Sequence, residues 1–364
     1  MLFQLGILLV VLYLGALVAH RLKQSSVPVF IVAGICLKFL APNPEWMQFL
    51  AQVGAMLLLF TIGLDFSPER LRRSGPRVLV ATLVDALINL PLGILVGIVL
   101  GFDLVSALII GGVLYNNSTS IIARLIIDFR RSALLETEYA VGVSVLEDLV
   151  TALYLAVITG VVRGGDVQPG ELLIIIGKTL GFFLGAYAAA VLLRPVLHRL
   201  MAHESLEVFL FFVMAFLLVL AAIAEWLGLS SAIGAFFAGF ILPEREFRER
   251  LERVIAPFRE LFAGIFFVSF GVLMELSQLG QAALFSIVTV IAALGGKLMT
   301  GWAIGRLMRL SRRASLRLGV ALVPRGEFSI LLASLAPAPV LDITMITVLV
   351  LALLGPLLMK WSSP

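Results

Sequence analysis

Glu147 and Asp148 stand side by side in SVLEDLVTAL, residues 144–153, with apolar residues on both sides. A carboxylate in hydrocarbon costs at least about 2.5–3.5 kcal/mol, so it is either functional or paired. Two uses suit an acid in such a place. It can hold a hard monovalent cation, or it can carry a proton, and a group that does each in turn couples the two. Neighbours on a helix point about 100° apart. Asp148 is therefore expected to face an ion path while Glu147 meets a partner. That partner is Lys297 of LGGKL (294–298), which lies mid-segment with no loop to snorkel into. A static Glu147–Lys297 ion pair is the plainer alternative.

Two polar interruptions accompany these charges. Tyr115-Asn116-Asn117-Ser118-Thr119-Ser120 cuts one apolar segment, and Val323-Pro324-Arg325-Gly326-Glu327-Phe328-Ser329 cuts another. Asn, Ser and Thr compete with helical backbone bonding, and Pro and Gly break helices. Unwound backbone is tolerated in a membrane where it is buried in protein or lines a wet cavity. Asn117, Ser118 and Thr119 offer oxygen ligands beside Asp148. Asn116, Ser120, Arg124, Asp85 and Asn89 are candidates for supporting contacts. Arg325 and Glu327 would neutralise or brace the second break, by pairing with each other or otherwise. A packing patch of small polar residues is the alternative for 116–120.

The elements that must position these residues are membrane helices. The 364-residue chain is 61% hydrophobic and 14% charged, with a mean hydropathy of +1.09. Ordinary soluble domains are about 45–50% apolar and about 25% charged. Apolar stretches of about 20 residues recur. The expected fold is an all-α polytopic membrane protein of about thirteen spans. They lie near 2–20, 27–41, 49–64, 77–100, 104–129, 133–162, 171–198, 206–227, 231–242, 257–275, 281–306, 314–337 and 343–362. The first lacks a basic leader and a cleavage site, so it reads as a span. Cys36 is the lone cysteine, which excludes an internal disulfide and any cysteine metal cluster. The net charge of +4 does not point to nucleic acid, because the basic residues sit in short loops. Those loops alternate in charge. With positive residues inside, the N-terminus is outside and the C-terminus cytoplasmic. His20, His198 and His203 fall at cytoplasmic ends and read as solvated surface.

The sequence also repeats. SSVPVFIVAGICL (25–37) resembles SSAIGAFFAGFIL (230–242) at an offset of 205. FTIGLDFSPERL (60–71) resembles FVSFGVLMELSQL (267–279), where Gly63 and Gly271 give an offset of 208. Seven spans separate the copies, an odd number, so the second copy is inverted, as in many secondary transporters. Applied to Asn116, the same offset of 208 lands on Pro324. Both interruptions thus fall at equivalent places, which predicts two broken helices that cross.

Asn117-Ser118-Thr119-Ser120, Ala123-Arg124, Glu147-Asp148, Lys297 and Arg325-Gly326-Glu327-Phe328 together resemble the monovalent cation:proton antiporters of the Kef/NapA-type branch. The stretch from Phe266-Phe267 to Gly271 is similar to that family's FF-x-x-x-G segment. The resemblance implies a sodium/proton antiporter-like fold with an elevator movement. Residues 76–163 and 280–364 would form the ion-transporting core, 1–75 and 204–276 a dimerisation scaffold, and 164–203 a linker helix. It implies that Asp148 is the cation and proton site, that Lys297 is the mid-membrane lysine, and that the chain forms a homodimer in a prokaryotic inner membrane. No cofactor is implied beyond the transported cation and H+. Na+ is the preferred cation on the compactness of the expected site, with K+ or Li+ the others. Glu147 departs from the family's usual Asp, Asn or Gln, and it tilts the expectation toward electrogenic exchange. The chain stops at Pro364, so nucleotide-dependent regulation would come from another chain or be absent. A sodium-coupled symporter of a small organic anion on a related fold is the alternative.

Overall fold

The computed structural model describes residues 2–22, 26–38, 45–65, 75–131, 134–164, 169–202, 205–227, 229–242, 244–273 and 279–362. They form sixteen α-helices and, among the described residues, no strand. The first three are α1 (Leu2–Leu22), α2 (Ser26–Lys38) and α3 (Glu45–Asp65). Next come α4 (Pro76–Val99), α5 (Leu104–Tyr115), α6 (Thr119–Asp128) and α7 (Leu135–Gly164). The middle of the chain forms α8 (Pro169–Leu192), α9 (Arg194–Met201), α10 (Leu206–Trp226), α11 (Ser231–Ile241) and α12 (Glu244–Leu273). The last four are α13 (Leu279–Leu307), α14 (Arg312–Ala321), α15 (Glu327–Ala333) and α16 (Ala338–Trp361).

Among the described residues, eight helices are long and apolar enough to cross a membrane alone, namely α1, α3, α4, α7, α10, α12, α13 and α16. The α8–α9 pair adds a ninth if its 64° bend lies within one span. The expected single segment at 171–198 is this bent pair. Pro195, in the first turn of α9, can neither donate to the preceding turn nor continue it. A second difference lies at α12. The expected span began at 257, but the helix starts at Glu244 and takes in the arginine-rich stretch. Arg and Glu are good helix formers, so a charged loop can wind into an extension of the span.

The chain forms two compact units. The first comprises Met1–Leu14, Phe30–Arg73 and Leu155–Leu273. Here α3 packs on α11 and α12, and α10 and α8 pack on α11. The contacts are close because glycines face backbone. A Cβ on Gly63 would strike the Phe236 carbonyl, and one on Gly239 the Phe60 carbonyl. Likewise a Cβ on Gly34 would strike the Val268 carbonyl, and one on Gly271 the Ile31 carbonyl. The repeat offsets map Gly34 onto Gly239 and Gly63 onto Gly271. The Gly34–Gly271 crossing is therefore exchanged with the Gly63–Gly239 crossing, as inverted repeats require.

The second unit comprises Gly15–Val29, Ser74–Tyr154 and Met274–Pro364. In it α4 packs on α5 and α13, α13 packs on α14 and α16, and α15 packs on α5 and α16. Its apolar interior, around Val143, Ile122, Ile304, Leu318 and Leu322, holds the two interruptions in place.

Candidate functional site

The fifth expected span is not one helix. The helix α5 ends at Tyr115, Asn116 is its extended C-cap, and α6 starts again at Thr119. Ser118 Oγ accepts the Ile121 N–H at 3.4 Å, as an N-cap would. The twelfth expected span is broken in the same manner. Here α14 ends at Ala321 and α15 starts at Glu327. The Ser118 N–H donates to the Pro324 carbonyl at 2.8 Å, so the two breaks touch through their backbones.

Arg325 fastens this crossing from within. It is fully buried. Its guanidinium donates to the carbonyls of Leu114 (2.6 Å), Leu322 (3.0 Å) and Val323 (2.8 Å). Those carbonyls belong to the unwinding ends of α5 and α14, which carry the negative poles of their helix dipoles. One cation therefore serves both half-helices. Ser329 Oγ adds a bond to the Val113 carbonyl at 3.3 Å. Glu327 is half-buried in the first turn of α15, where a negative charge suits the positive pole.

The two carboxylates of α7 diverge on this scaffold. Asp148, 7% exposed, turns to the first break. Thr119 Oγ1 donates to its Oδ2 at 2.7 Å and Asn116 Nδ2 approaches its Oδ1 at 3.4 Å. Asn116 also donates to Thr151 Oγ1 at 3.1 Å. Glu147 is wholly buried and turns the other way. Its Oε2 accepts from Asn117 Nδ2 and its Oε1 meets Lys297 Nζ at 2.7 Å.

Lys297 has a second carboxylate. Its ammonium reaches both oxygens of Asp85, at 3.1 and 2.9 Å. Asn89 donates to Asp85 Oδ1 at 2.9 Å and to Thr300 Oγ1 at 2.8 Å. The Tyr115 ring lies 5.4 Å from the ammonium. Asp85 had been expected only as a supporting contact, and the structure makes it a direct ion-pair partner. A signal for this region was present in the sequence, since the offset that joins the two breaks also maps Asn89 onto Lys297. Tyr115 opens the polar run that the sequence shows, whereas Thr151 and Thr300, isolated polar residues in apolar helices, carry no such signal. The side chains of Ser120 and Arg124 lie outside the described residues.

Three carboxylates, one ammonium and one guanidinium thus share one buried region of a single unit. In formal charges they leave one net negative. The amide oxygens of Asn89, Asn116 and Asn117 and the Tyr115 hydroxyl are buried with no hydrogen-bond partner among the described residues. Neutral hard oxygens beside a carboxylate are the ligand chemistry of an alkali cation. Among the described residues no cluster of three or more His, Cys, Asp or Glu side chains has the arrangement of a metal centre.

The description "Sodium/hydrogen exchanger, transmembrane" matches residues 6–361. The K(+)/H(+) antiporter subunit KhtU of Bacillus subtilis (strain 168) is 35% identical, over 99% of this chain and 93% of that one. The ammonium/H(+) antiporter subunit AmhT of Alkalihalophilus pseudofirmus is 31% identical, again over 99% and 93%. The solved structure of the sodium proton antiporter MjNhaP1 from Methanocaldococcus jannaschii superposes with a TM-score of 0.76. That likeness covers 100% of this chain and 97% of the other, and at 17% identity it speaks for the fold alone. The chain belongs to the sodium/hydrogen exchanger family of monovalent cation:proton antiporters.

Proposed function

We propose that the chain exchanges K+, or a cation of similar size such as ammonium, for protons, with Asp148 as the shared site. The observation that carries this is Asp148 itself, nearly buried and met by Thr119 from the head of α6 and by Asn116 from the unwound segment, whose amide oxygen has no hydrogen-bond partner among the described residues. A carboxylate can hold a proton or a cation, and either one neutralises it. The bare carboxylate is expensive to move through hydrocarbon, whereas either loaded form is less so. Exchange follows when only the loaded forms cross. The relatives named for K(+) and ammonium, each aligned over 99% of the chain, support the larger cation. Na+ is the second reading, favoured by the short Thr119–Asp148 contact of a compact site.

In this reading residues 76–163 and 280–364, the core that carries Asp148, move across the bilayer in an elevator-type cycle. Residues 1–75 and 204–276 act as the dimerisation scaffold and 164–203 as the linker. Two relatives named as antiporter subunits support a separate partner chain, for which a regulatory role is proposed. The alternation of basic loops supports an orientation with the N-terminus outside, and an inner-membrane placement is proposed with it. An organic-anion symporter would need a free cationic anchor. Arg325 is a poor one, because its guanidinium already serves three backbone carbonyls.

The test is reconstitution in liposomes with a preset pH gradient and an internal pH dye. Added K+ should dissipate the gradient more strongly than Na+ or Li+. Asp148→Asn should abolish the response. Normal exchange by that variant would overturn the assignment of the site, and a response to Na+ alone would select the second reading.

A further inference from the structure

Lys297 is compensated twice, and the second compensation belongs to no transport step described so far. An ammonium has three N–H donors. Here one goes to Glu147, and both Asp85 oxygens take the other side. Asp85 sits on α4, is fully buried, and is itself fixed by Asn89, which is in turn fixed by Thr300 on α13. Gly296, next to Lys297, packs against the Asn89 amide, where a Cβ would collide. The α4–α13 contact is thus built around this ion pair and includes no atom of α7. Glu147 belongs to α7, beside the cation site. A buried lysine left with no anion is strongly destabilising, because removing one partner of a buried pair leaves an uncompensated charge.

We propose that Asp85 is a positioning residue for exchange. It is the standing counter-ion of Lys297, and it holds the ammonium in place so that Glu147 can disengage from the lysine without stranding a charge. The proposal rests on the exchange reading above for its functional part, though its structural part can be tested without transport.

Two measurements test it. The first is thermal melting of purified variants in detergent. Glu147→Gln and Asp85→Asn should each retain a cooperative transition, because Lys297 keeps one anion. The double variant should fall by about 10 °C or more beyond the sum of the single shifts. Adding Lys297→Met should recover most of that loss. Strictly additive shifts would overturn the proposal. The second is liposome exchange across a range of cation concentrations. Asp85→Asn draws the ammonium wholly onto the α7 side and raises the positive potential there. The cation KM should rise about tenfold while the maximal rate stays within about threefold, and Asp85→Glu should restore most of it. A lowered maximal rate with an unchanged KM would mark Asp85 as merely structural and overturn the proposal. Absence of exchange in the unmodified protein would instead count against the exchange reading and leave the melting series standing.

Discussion

The two breaks occupy equivalent places in an inverted repeat, yet they do different work. The first, at 116–118, spends its side chains on the α7 carboxylates: Asn116 reaches Asp148 and Asn117 reaches Glu147. Thr119, at the head of the following half-helix, reaches Asp148. The second, at 322–326, serves backbone. Pro324 offers its carbonyl to Ser118, and Arg325 caps both half-helix ends. The repeat presents the same shape twice, and in the first copy the side chains of the break reach the α7 carboxylates. Changes at the first break should therefore register in transport, and changes at the second in folding.

The sharpest way to break that contrast is Arg325→Gln. It strips a charged donor from three buried carbonyls and should destabilise by roughly 3 kcal/mol or more, read as a lowered melting point and a loss of folded protein on size exclusion. Unchanged melting with lost exchange would place Arg325 in transport instead. Gly326→Ala comes next. A Cβ there would lie 2.5 Å from Ser118 Oγ and 2.6 Å from Ser118 Cβ, so overpacking of about 1–3 kcal/mol is expected. Ser118→Gly in the same chain should return part of it, because the two positions share one contact. Thr119→Val should act in the opposite manner. Melting should move little, while the cation KM rises about tenfold with loss of the hydroxyl that meets Asp148. The smallest effect belongs to a residue remote from both breaks. Asp103 caps α5 by accepting the Val105 and Ser106 N–H groups, and bonding to Ser106 holds its carboxyl below the usual value. Its contribution is present above the ordinary carboxylate range and is lost as pH falls through the lowered value. Asp103→Ala should cost about 1 kcal/mol near neutral pH, and the difference between variant and parent should vanish in melts well below pH 4.

Much of this arrangement was legible in the residues themselves. Polar runs at 116–120 and Pro-Arg-Gly at 324–326 can have few meanings inside apolar sequence, and a shared offset tied them together. Lys297 needed an anion, and Glu147 was the available acid in the neighbouring chemistry. Asp85 was harder to read. A single acid in an apolar helix says that it has a partner, but which helix supplies the partner depends on how α4 and α13 pack. Arg325 is similar: its type announces a need for acceptors, and the acceptors turned out to be backbone carbonyls, which no residue letter encodes. The α8–α9 bend and the long α12 were missed because apolar content sets where a helix can cross, while Pro195 and the Arg/Glu run set where it actually starts and turns.

The glycine crossings of the other unit bear on how the two copies drift. Gly34 and Gly239 are counterparts, as are Gly63 and Gly271, and each crossing joins one residue from either copy. A substitution at one of the four strains one crossing and spares its mirror, so neither half can change there without answering to the other. At the breaks the two copies also touch, Ser118 against Pro324 and Gly326, yet the letters differ, Asn-Asn-Ser in one copy and Pro-Arg-Gly in the other. The likeness of the two halves is kept in the packing of backbone on backbone and is absent from the side chains at the breaks.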